Sequence, residues 1–324
     1  MNQHKVDISV VIVNWSVRNL LKRCLESIYK FTQDVSFEVF VVDNNSTDGS
    51  QEMVSKEFPQ VTLIVNTTNR GFAAANNQGF RLAEGRYTLM LNPDTELNHN
   101  AIKAMVEFMD QHPKINVIAP RLTFADGSLQ HSCRHFPTFF TDLMESLLLD
   151  EICAKNKIFN WYKMGLWPHD KMREVDQPYG ACLMFRTEDL KRLGFMDERF
   201  FMYYDEVDLC LRLKKAAGKI FFLPQISIIH HGNCSSKQIP DICHRWKLQS
   251  KIRFFAKHYG AIGIMSLFFN LILETILVYG IFSVSHAIIR RPRNLRYFKA
   301  VLKSIWGEYI DFLRHPIKRN NEDV

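Results

Sequence analysis

Apolar and polar positions fall in blocks along the first hundred residues, and the blocks change period. Ile8 to Val13 is a mostly β-branched run, which predicts a strand buried on both faces. From Val17 to Tyr29 the apolar residues Leu20, Leu21, Cys24, Leu25 and Ile28 recur every three or four positions, which predicts an amphipathic helix. Val39 to Val42 is a second buried strand. It closes on the polar run Asp43-Asn44-Asn45-Ser46-Thr47-Asp48-Gly49-Ser50, and a helix follows to Phe58, stopped by Pro59. Val61 to Val65 predicts a third strand, and Asn69-Arg70-Gly71-Phe72 leads into an alanine-rich helix. Tyr87 to Leu91 is the fourth strand. It ends abruptly at Asn92-Pro93-Asp94, a turn that presents one carboxylate just past the strand.

Strands alternating with helices of this length predict an α/β fold with a wound, mostly parallel sheet. Ligands of such sheets bind outside the carboxyl ends of the strands. Asn14, Asp43, Asn69 and Asp94 each stand at or soon after such an end. Each has a purely structural reading as turn or helix-cap chemistry. Four of them on one predicted edge point to a site.

A fifth strand is predicted at Ile115 to Ala119, then a hairpin around Ala125-Asp126-Gly127-Ser128. His131 to Asp176 has no clear period and reads as a long insertion with some helix, of the kind that forms lids and substrate loops. Order returns with a strand in Pro178 to Arg186. Tyr204 to Arg212 reads as a helix start carrying Asp205, Glu206 and Asp208, with Gly218 as a stop. Acidic residues suit a helix N-terminus, but three exceed what capping needs, and clustered carboxylates raise one another's pKa toward a general base's range. Lys219 to Leu223 and Gln225 to Ile229 are two short apolar runs. His230-His231 follows, readable either as metal ligands or as ordinary loop residues.

Ala261 to Ile289 is strongly apolar and long enough to cross a bilayer, but Glu274 lies within it. Arg290, Arg291, Arg293, Arg296, Lys299 and Lys303 follow directly. The favoured expectation is a helix in the membrane interface with its cations on anionic lipid. A single span with the basic flank cytoplasmic is the alternative, and a helical hairpin packed on the catalytic domain is the third. The formal charge of +7 admits an anionic substrate, lipid or nucleic acid. Seven scattered cysteines form neither a CxxC pair nor a zinc spacing; Cys24 and Cys210 sit on apolar helix positions, as buried thiols of a reducing cytoplasm would. The apolar run near the N-terminus is too short for a signal peptide, so the catalytic part is expected in the cytoplasm.

The chain has no phosphate-loop motif, no G-x-G-x-x-G after the first strand and no G-x-S-x-G elbow. Metal-dependent chemistry on a phosphorylated ligand remains. Ile8-Ser-Val-Val-Ile-Val-Asn-Trp15, Val41-Val-Asp-Asn-Asn-Ser-Thr-Asp-Gly-Ser50, Asn69-Arg-Gly-Phe72 with Asn76-Asn77, and Leu91-Asn-Pro-Asp-Thr95 resemble family-2 glycosyltransferases of the GT-A fold. Gly194-Phe-Met-Asp-Glu-Arg-Phe-Phe201, Asp205-Glu-Val-Asp-Leu209 and Ile229-His-His-Gly232 resemble the rhamnosyltransferase-like branch.

The resemblance implies a GT-A domain over residues 1–240, with a donor half to about 120 and an acceptor half beyond it, and a helical, membrane-associating region over 241–324. It implies inverting transfer from a nucleoside-diphosphate sugar (dTDP-rhamnose or a UDP-sugar) to a glycan or lipid-linked acceptor in cell-surface polysaccharide synthesis, with Mg²⁺ or Mn²⁺. No nucleic acid is expected. The location implied is the cytoplasmic face of the plasma membrane. Asn14, Asp43, Asn69, Gly71, Asn77, Asn92 and Asp94 match donor-binding positions, and Asp94 and His230 match the metal site. Glu206 matches the catalytic base, with Asp205 as its alternative. Two departures stand out: Asn92 replaces the first aspartate of the family's D-x-D, and the base motif reads Asp-Glu where Glu-Asp is frequent. A metal-dependent nucleotidyltransferase and a non-catalytic sugar-nucleotide or nucleic-acid binding protein are the competing readings.

Overall fold

The computed structural model describes residues 6–147, 149, 155–232, 239–288, 306–307 and 310. The chain divides into two compact units, Met1–Phe136 with Trp167–Pro240, and Pro137–Leu166 with Asp241–Asn320. The irregular stretch expected from His131 to Asp176 is therefore split: its middle belongs with the C-terminal helix.

In the first unit β1 (Ile8–Asn14), β2 (Phe37–Asp43), β3 (Thr62–Val65) and β4 (Tyr87–Leu91) lie parallel in the order β3-β2-β1-β4, linked through α1 (Arg18–Phe31), α2 (Ser50–Glu57) and α3 (Phe72–Leu82). Every residue of β1 is buried, as its β-branched run predicts. Its Ile8, Val10 and Ile12 share one core with Leu21, Cys24, Leu25 and Ile28 of α1, while Val13, Val42 and Ala75 pack together in a second cluster. The apolar spacing of α1 thus decides which of its sides is inside.

The chain continues through β5 (Thr95–Glu96), α4 (Ala101–Gln111), β6 (Val117–Thr123), β7 (Leu129–Gln130) and β8 (Cys133–Arg134), then α5 (Phe139–Ser146) of the second unit. It returns with β9 (Arg173–Glu174), β10 (Gln177–Pro178), β11 (Cys182–Arg186), α6 (Thr187–Arg192), α7 (Asp205–Lys215) and β12 (Ile220–His230). β11 lies antiparallel between β4 and β6, β12 runs parallel to β6, and β5 closes that edge antiparallel to β12. The carboxyl ends of β1, β2, β4, β6 and β12 therefore share one edge with the start of β11.

The fifth strand extends to Thr123, past the Ala119 limit set by its apolar run. The two runs expected at 219–223 and 225–229 are one strand. Its pairing with β6 shifts register between Leu223 and Ser227, an irregularity that accommodates Pro224, which has no N–H to give the ladder. Cys24, Cys133, Cys182, Cys210 and Cys243 are free and buried, and burial pushes the Cys24 and Cys133 thiols up to about 12, which keeps them protonated and inert.

The second unit is helical. α5 starts on a capping box made by Thr138 and Thr141. α8 (Pro240–Ile288) is broken at Gly260, whose φ of 61° and ψ of −147° are open to glycine alone. Asp142 of α5 forms an ion pair with Lys251, and its Oδ2 accepts a 2.9 Å hydrogen bond from Asn270 Nδ2. Glu274 hydrogen-bonds Ser146, so it faces α5. The opposite side of α8 is apolar and open, with Ile262 79%, Met265 69%, Phe269 55% and Ile276 61% exposed. Asp241–Ile276 is long and apolar enough to cross a membrane, by length and composition. The basic cluster from Arg290 to Lys303 lies outside the described residues.

Candidate active site

The polar strand ends predicted to converge do share the edge, and the structure gives each a specific partner. Asn14 is fully buried and donates from Nδ2 to Asp43 Oδ2 at 2.9 Å and to Ser46 Oγ at 3.0 Å. Asp43 Oδ1 accepts from the Ser46 N–H and from Gln51 Nε2, each at 2.8 Å. A carboxylate has about four acceptor positions, so Asp43 is held rigidly at the end of β2 and keeps capacity for one more donor. Asn44 ties this edge to the next loop: it accepts from Asn66 Nδ2 and the Arg70 N–H, and donates to Gly71 O.

Asn69 accepts from the Gly71 N–H at 2.9 Å, closing a tight turn. Gly71 has a φ of 82°, and a Cβ added there would stand 2.5 Å from Phe201 O. Only glycine lets the Phe72 N–H reach that carbonyl, which it does at 2.6 Å. Asn77 has a task that its position in the motif does not reveal. Its Nδ2 donates to Met196 O and Glu198 Oε1, and its Oδ1 accepts the Met196 N–H, so the amide clamps the 196–198 segment onto α3 rather than facing a ligand.

Asp94 and His230 come together from distant parts of the sequence. β5 pairs with β12 so that Thr95 faces His230, and the His231 N–H donates to Asp94 O at 2.9 Å. His230 Nε2 then stands 3.3 Å from Asp94 Oδ1, with both side chains 8% exposed. His230 Nδ1 is 2.7 Å from Gln130 Oε1. With that oxygen as acceptor, a neutral ring carries its proton on Nδ1 and leaves a lone pair on Nε2, on the side of the carboxylate. Nε2 is buried without a hydrogen-bond partner. An imidazole nitrogen and a carboxylate oxygen this close are a donor pair that suits a divalent cation, so the residues present fit a divalent metal. Among the described residues no group of three His, Cys, Asp or Glu side chains forms a complete metal cage, so further oxygens must come from the ligand and water.

The carboxylates of α7 separate into three environments. Asp208 is fully buried and paired with Arg212 at 2.8 Å, and Arg212 also donates to Leu193 O and Phe195 O, so this carboxylate anchors the helix. Asp205 is 1% exposed; its Oδ1 accepts the Glu206 N–H, and its Oδ2 is buried without a partner. Burial first, then the neighbouring Glu206 charge, holds the Asp205 carboxyl well above the usual carboxylate range. Glu206 is half-buried, and its Cβ and Cγ lie 3.4 Å from where a Cβ on Gly180 would be. The next residue, Ala181, accepts the Asn92 N–H at 2.9 Å, which brings Glu206 to the Asn92-Pro93-Asp94 turn.

A raised carboxyl has a consequence for stability. Unfolded, Asp205 ionises near 3.8, whereas the folded chain keeps the proton to higher pH. Stability is thus fully present below that value and is lost as pH rises through the folded value. Asp205→Asn cannot ionise, so it is expected to melt above the wild type at pH 7, with the gap shrinking toward pH 4. Thermal melts across that range check it, and a variant melting below wild type by a constant margin contradicts it.

Four of the ten buried side-chain atoms without partners among the described residues belong to this edge: Asn14 Oδ1, Asn92 Oδ1, Asp205 Oδ2 and His230 Nε2. Each such atom costs on the order of 1–3 kcal/mol when nothing pairs with it, so their gathering marks where a ligand supplies cations and donors.

The architecture is that of solved sugar-nucleotide enzymes of the GT-A fold. It matches mannosyltransferase PcManGT from Pyrobaculum calidifontis, solved with GDP-Man and Mn²⁺, with a TM-score of 0.54 and 15% identity over 96% of this chain and 88% of that one. GalNAc-T7, solved with UDP, GalNAc and Mn²⁺, matches at a TM-score of 0.54 and 16% identity over 76% of this chain and 47% of that one. Residues 9–165 match the glycosyl transferase family 2 model. The chain carries a glycosyl transferase family 2 domain. This glycosyltransferase is 28% identical to N-acetylglucosaminyl-diphospho-decaprenol L-rhamnosyltransferase of Mycobacterium tuberculosis over 243 residues, 71% of this chain and 78% of the relative. It is 24% identical to rhamnosyltransferase WbbL of Escherichia coli over 261 residues, 76% of this chain and 92% of that one.

Several residues that build the glycosyltransferase's edge carry no clear signal in the sequence. Asn44 was legible only as turn chemistry within a run of polar residues. Gly180 reads as a tight turn, and nothing in the sequence announces that it makes room for Glu206. Gln130 lies 100 residues from His230 and carries no motif.

Proposed function

We propose that this glycosyltransferase moves a sugar, with inversion, from dTDP-rhamnose or a UDP-sugar to a hydroxyl of a glycan or lipid-linked acceptor in cell-surface polysaccharide synthesis. The observation that carries the proposal is the Asp94–His230 pair, two buried side chains whose Oδ1 and Nε2 stand 3.3 Å apart at the carboxyl edge of the sheet. The similarity to two rhamnosyltransferases supports the donor class.

Asp94 and His230 are assigned to hold Mg²⁺ or Mn²⁺, the imidazole tilting the choice toward Mn²⁺. Such an ion, when bound, neutralises charge gathering on the departing diphosphate. Asn14, Asp43, Asn69, Gly71 and Asn92 form the donor edge: Asp43 keeps an acceptor position for a base N–H, and the Gly71 turn seats the donor loop against Phe201. Asn77 holds the 196–198 segment in place behind it. Glu206 is assigned as the general base. It takes the proton from the acceptor hydroxyl as that oxygen bonds to the anomeric carbon, while the carbon–oxygen bond to the diphosphate breaks and its electron pair leaves with the phosphate. Asp205, whose carboxyl burial holds well above the usual carboxylate range, stands behind it as the buried neighbour of the base.

The proposal extends to the second unit. The open apolar side of α8 is assigned to the interface of the cytoplasmic membrane face, with the Arg290–Lys303 segment on anionic lipid. Glu274 bonded to Ser146, away from the exposed side, supports an interfacial helix over a lipid-exposed span.

Thermal shift of the purified full chain against UDP-, dTDP- and GDP-sugars, with and without Mn²⁺, tests the reading. One nucleotide class is expected to raise the melting temperature only when metal is present. Metal-dependent release of nucleoside diphosphate is expected from the same donor. Absence of both with every donor, in Mn²⁺ and in Mg²⁺, rejects it.

A further inference from the structure

The spacing of Asp94 and His230 is set by backbone. The β5–β12 ladder places Thr95 opposite His230, the His231 N–H holds Asp94 O, and His231 Nε2 meets Glu96 Oε1 at 2.9 Å. None of these contacts involves Gln130. What the ladder leaves undetermined is which ring nitrogen of His230 carries the proton.

That choice decides whether the pair is open or closed. With the proton on Nε2, the imidazole would donate to Asp94 Oδ1 and the two side chains would satisfy each other. With the proton on Nδ1, both turn lone pairs into the same space. Gln130 stands where it can choose. Leu122 of β6 pairs with Gln130 of β7 on one side and with Ile228 of β12 on the other. His230 lies two residues beyond Ile228, so it projects from the same face as Gln130. The Gln130 Oε1 to His230 Nδ1 distance is 2.7 Å. The chain also makes room for this amide: Gly232 has a φ of 77°, and a Cβ there would stand 3.3 Å from Gln130 Nε2.

We propose that Gln130 is a positioning residue that fixes His230 as its Nδ1–H tautomer, so that His230 Nε2 offers a lone pair to a divalent cation instead of a proton to Asp94 Oδ1. This rests on the metal reading of the pair given above. Hydrogen-bond partners of metal-ligating histidines act in this way generally, and losing one weakens metal binding by about 10- to 100-fold.

The test uses the full chain, Mn²⁺ alone as the probe, and three variants. Mn²⁺ affinity is titrated by electron paramagnetic resonance, and the His230 tautomer is read from imidazole ¹⁵N shifts in metal-free protein. Gln130→Leu is expected to move the proton to Nε2 and to weaken Mn²⁺ binding by about 10- to 100-fold. Gln130→Glu, which can only accept, is expected to keep the Nδ1–H form and to bind Mn²⁺ at least as tightly as wild type. Unchanged tautomer and affinity in Gln130→Leu overturn the inference, and so does a Gln130→Glu variant that loses Mn²⁺. The second arm stands even if the leucine variant does not fold. Asp94→Ala separates the two levels: if wild type binds no Mn²⁺, or if Asp94→Ala binds it equally well, the metal reading itself fails. If only the Gln130 variants behave as wild type, that reading survives and the role of Gln130 does not.

Discussion

Asp94→Ala is expected to lower metal-dependent sugar transfer by at least about 10³-fold in kcat/KM, since a lost metal contact withdraws several kcal/mol of charge stabilisation and each 1.36 kcal/mol is tenfold in rate. The fold should not notice. The Asp94 backbone carbonyl keeps its bond to the His231 N–H, and β5 keeps its pairing with β12. The lost carboxylate contacts are expected to lower the melting temperature by about 2–4 °C for each kcal/mol they contributed, without unfolding the domain. Steady-state kinetics over a Mn²⁺ titration, beside a thermal melt, measures both. Loss of activity with loss of fold would be uninformative about chemistry, so the Asn variant runs in parallel: it keeps the volume and removes the charge. Activity within tenfold of wild type in a folded Asp94→Ala protein would remove the centre of the functional reading.

Glu206→Gln is expected to reduce kcat by about 10²–10⁴-fold, the range supplied by a positioned general base, while donor-induced thermal stabilisation is unchanged. Its neighbour provides the control. Asp205 is buried, with its carboxyl held well above the usual carboxylate range, so Asp205→Asn should preserve most activity even as it alters the stability profile. An active Glu206→Gln with an inactive Asp205→Asn would exchange the two assignments. Two inactive variants with intact donor binding would mean that the base is the pair, titrating as one unit. The environments favour the first outcome. Asp205 Oδ2 is sealed from solvent, whereas Glu206 is half-buried beside the one residue, Gly180, that has no side chain to obstruct it.

The first half of the fold was legible because local signals and burial agree there. β1 is buried at every position, so its apolar run needed no tertiary information to be recognised. The helical spacing of Leu21, Cys24, Leu25 and Ile28 likewise names the side that packs. The parallel order also follows from short crossovers. Legibility fails where a short element owes its existence to a distant partner. β5 has two residues and no propensity signal; it forms because β12 offers an open edge, and it is the element that sets Asp94 beside His230. Pro224 splits β12 into two runs in the sequence, yet the strand passes it by shifting register. Asp208 looked like a third member of a catalytic cluster until Arg212, one turn along, claimed it. Asn77 sat in a motif and turned out to bind its own chain.

In the second unit, the bonds that join Asp142 to Lys251 and Asn270 bear on how α8 meets its surroundings. A lone apolar helix can roll about its axis and present any side to a nonpolar phase. Here Leu267, Asn270 and Leu271, each at most 3% exposed, are pinned against the rest of the unit, so rolling would break a buried ion pair and strip Asn270 of its acceptor. The side bearing Ile262, Met265, Phe269 and Ile276 is chosen in advance. Adsorption through it requires no refolding, and its strength should follow buried apolar area, side chain by side chain, without an entropic threshold to cross first.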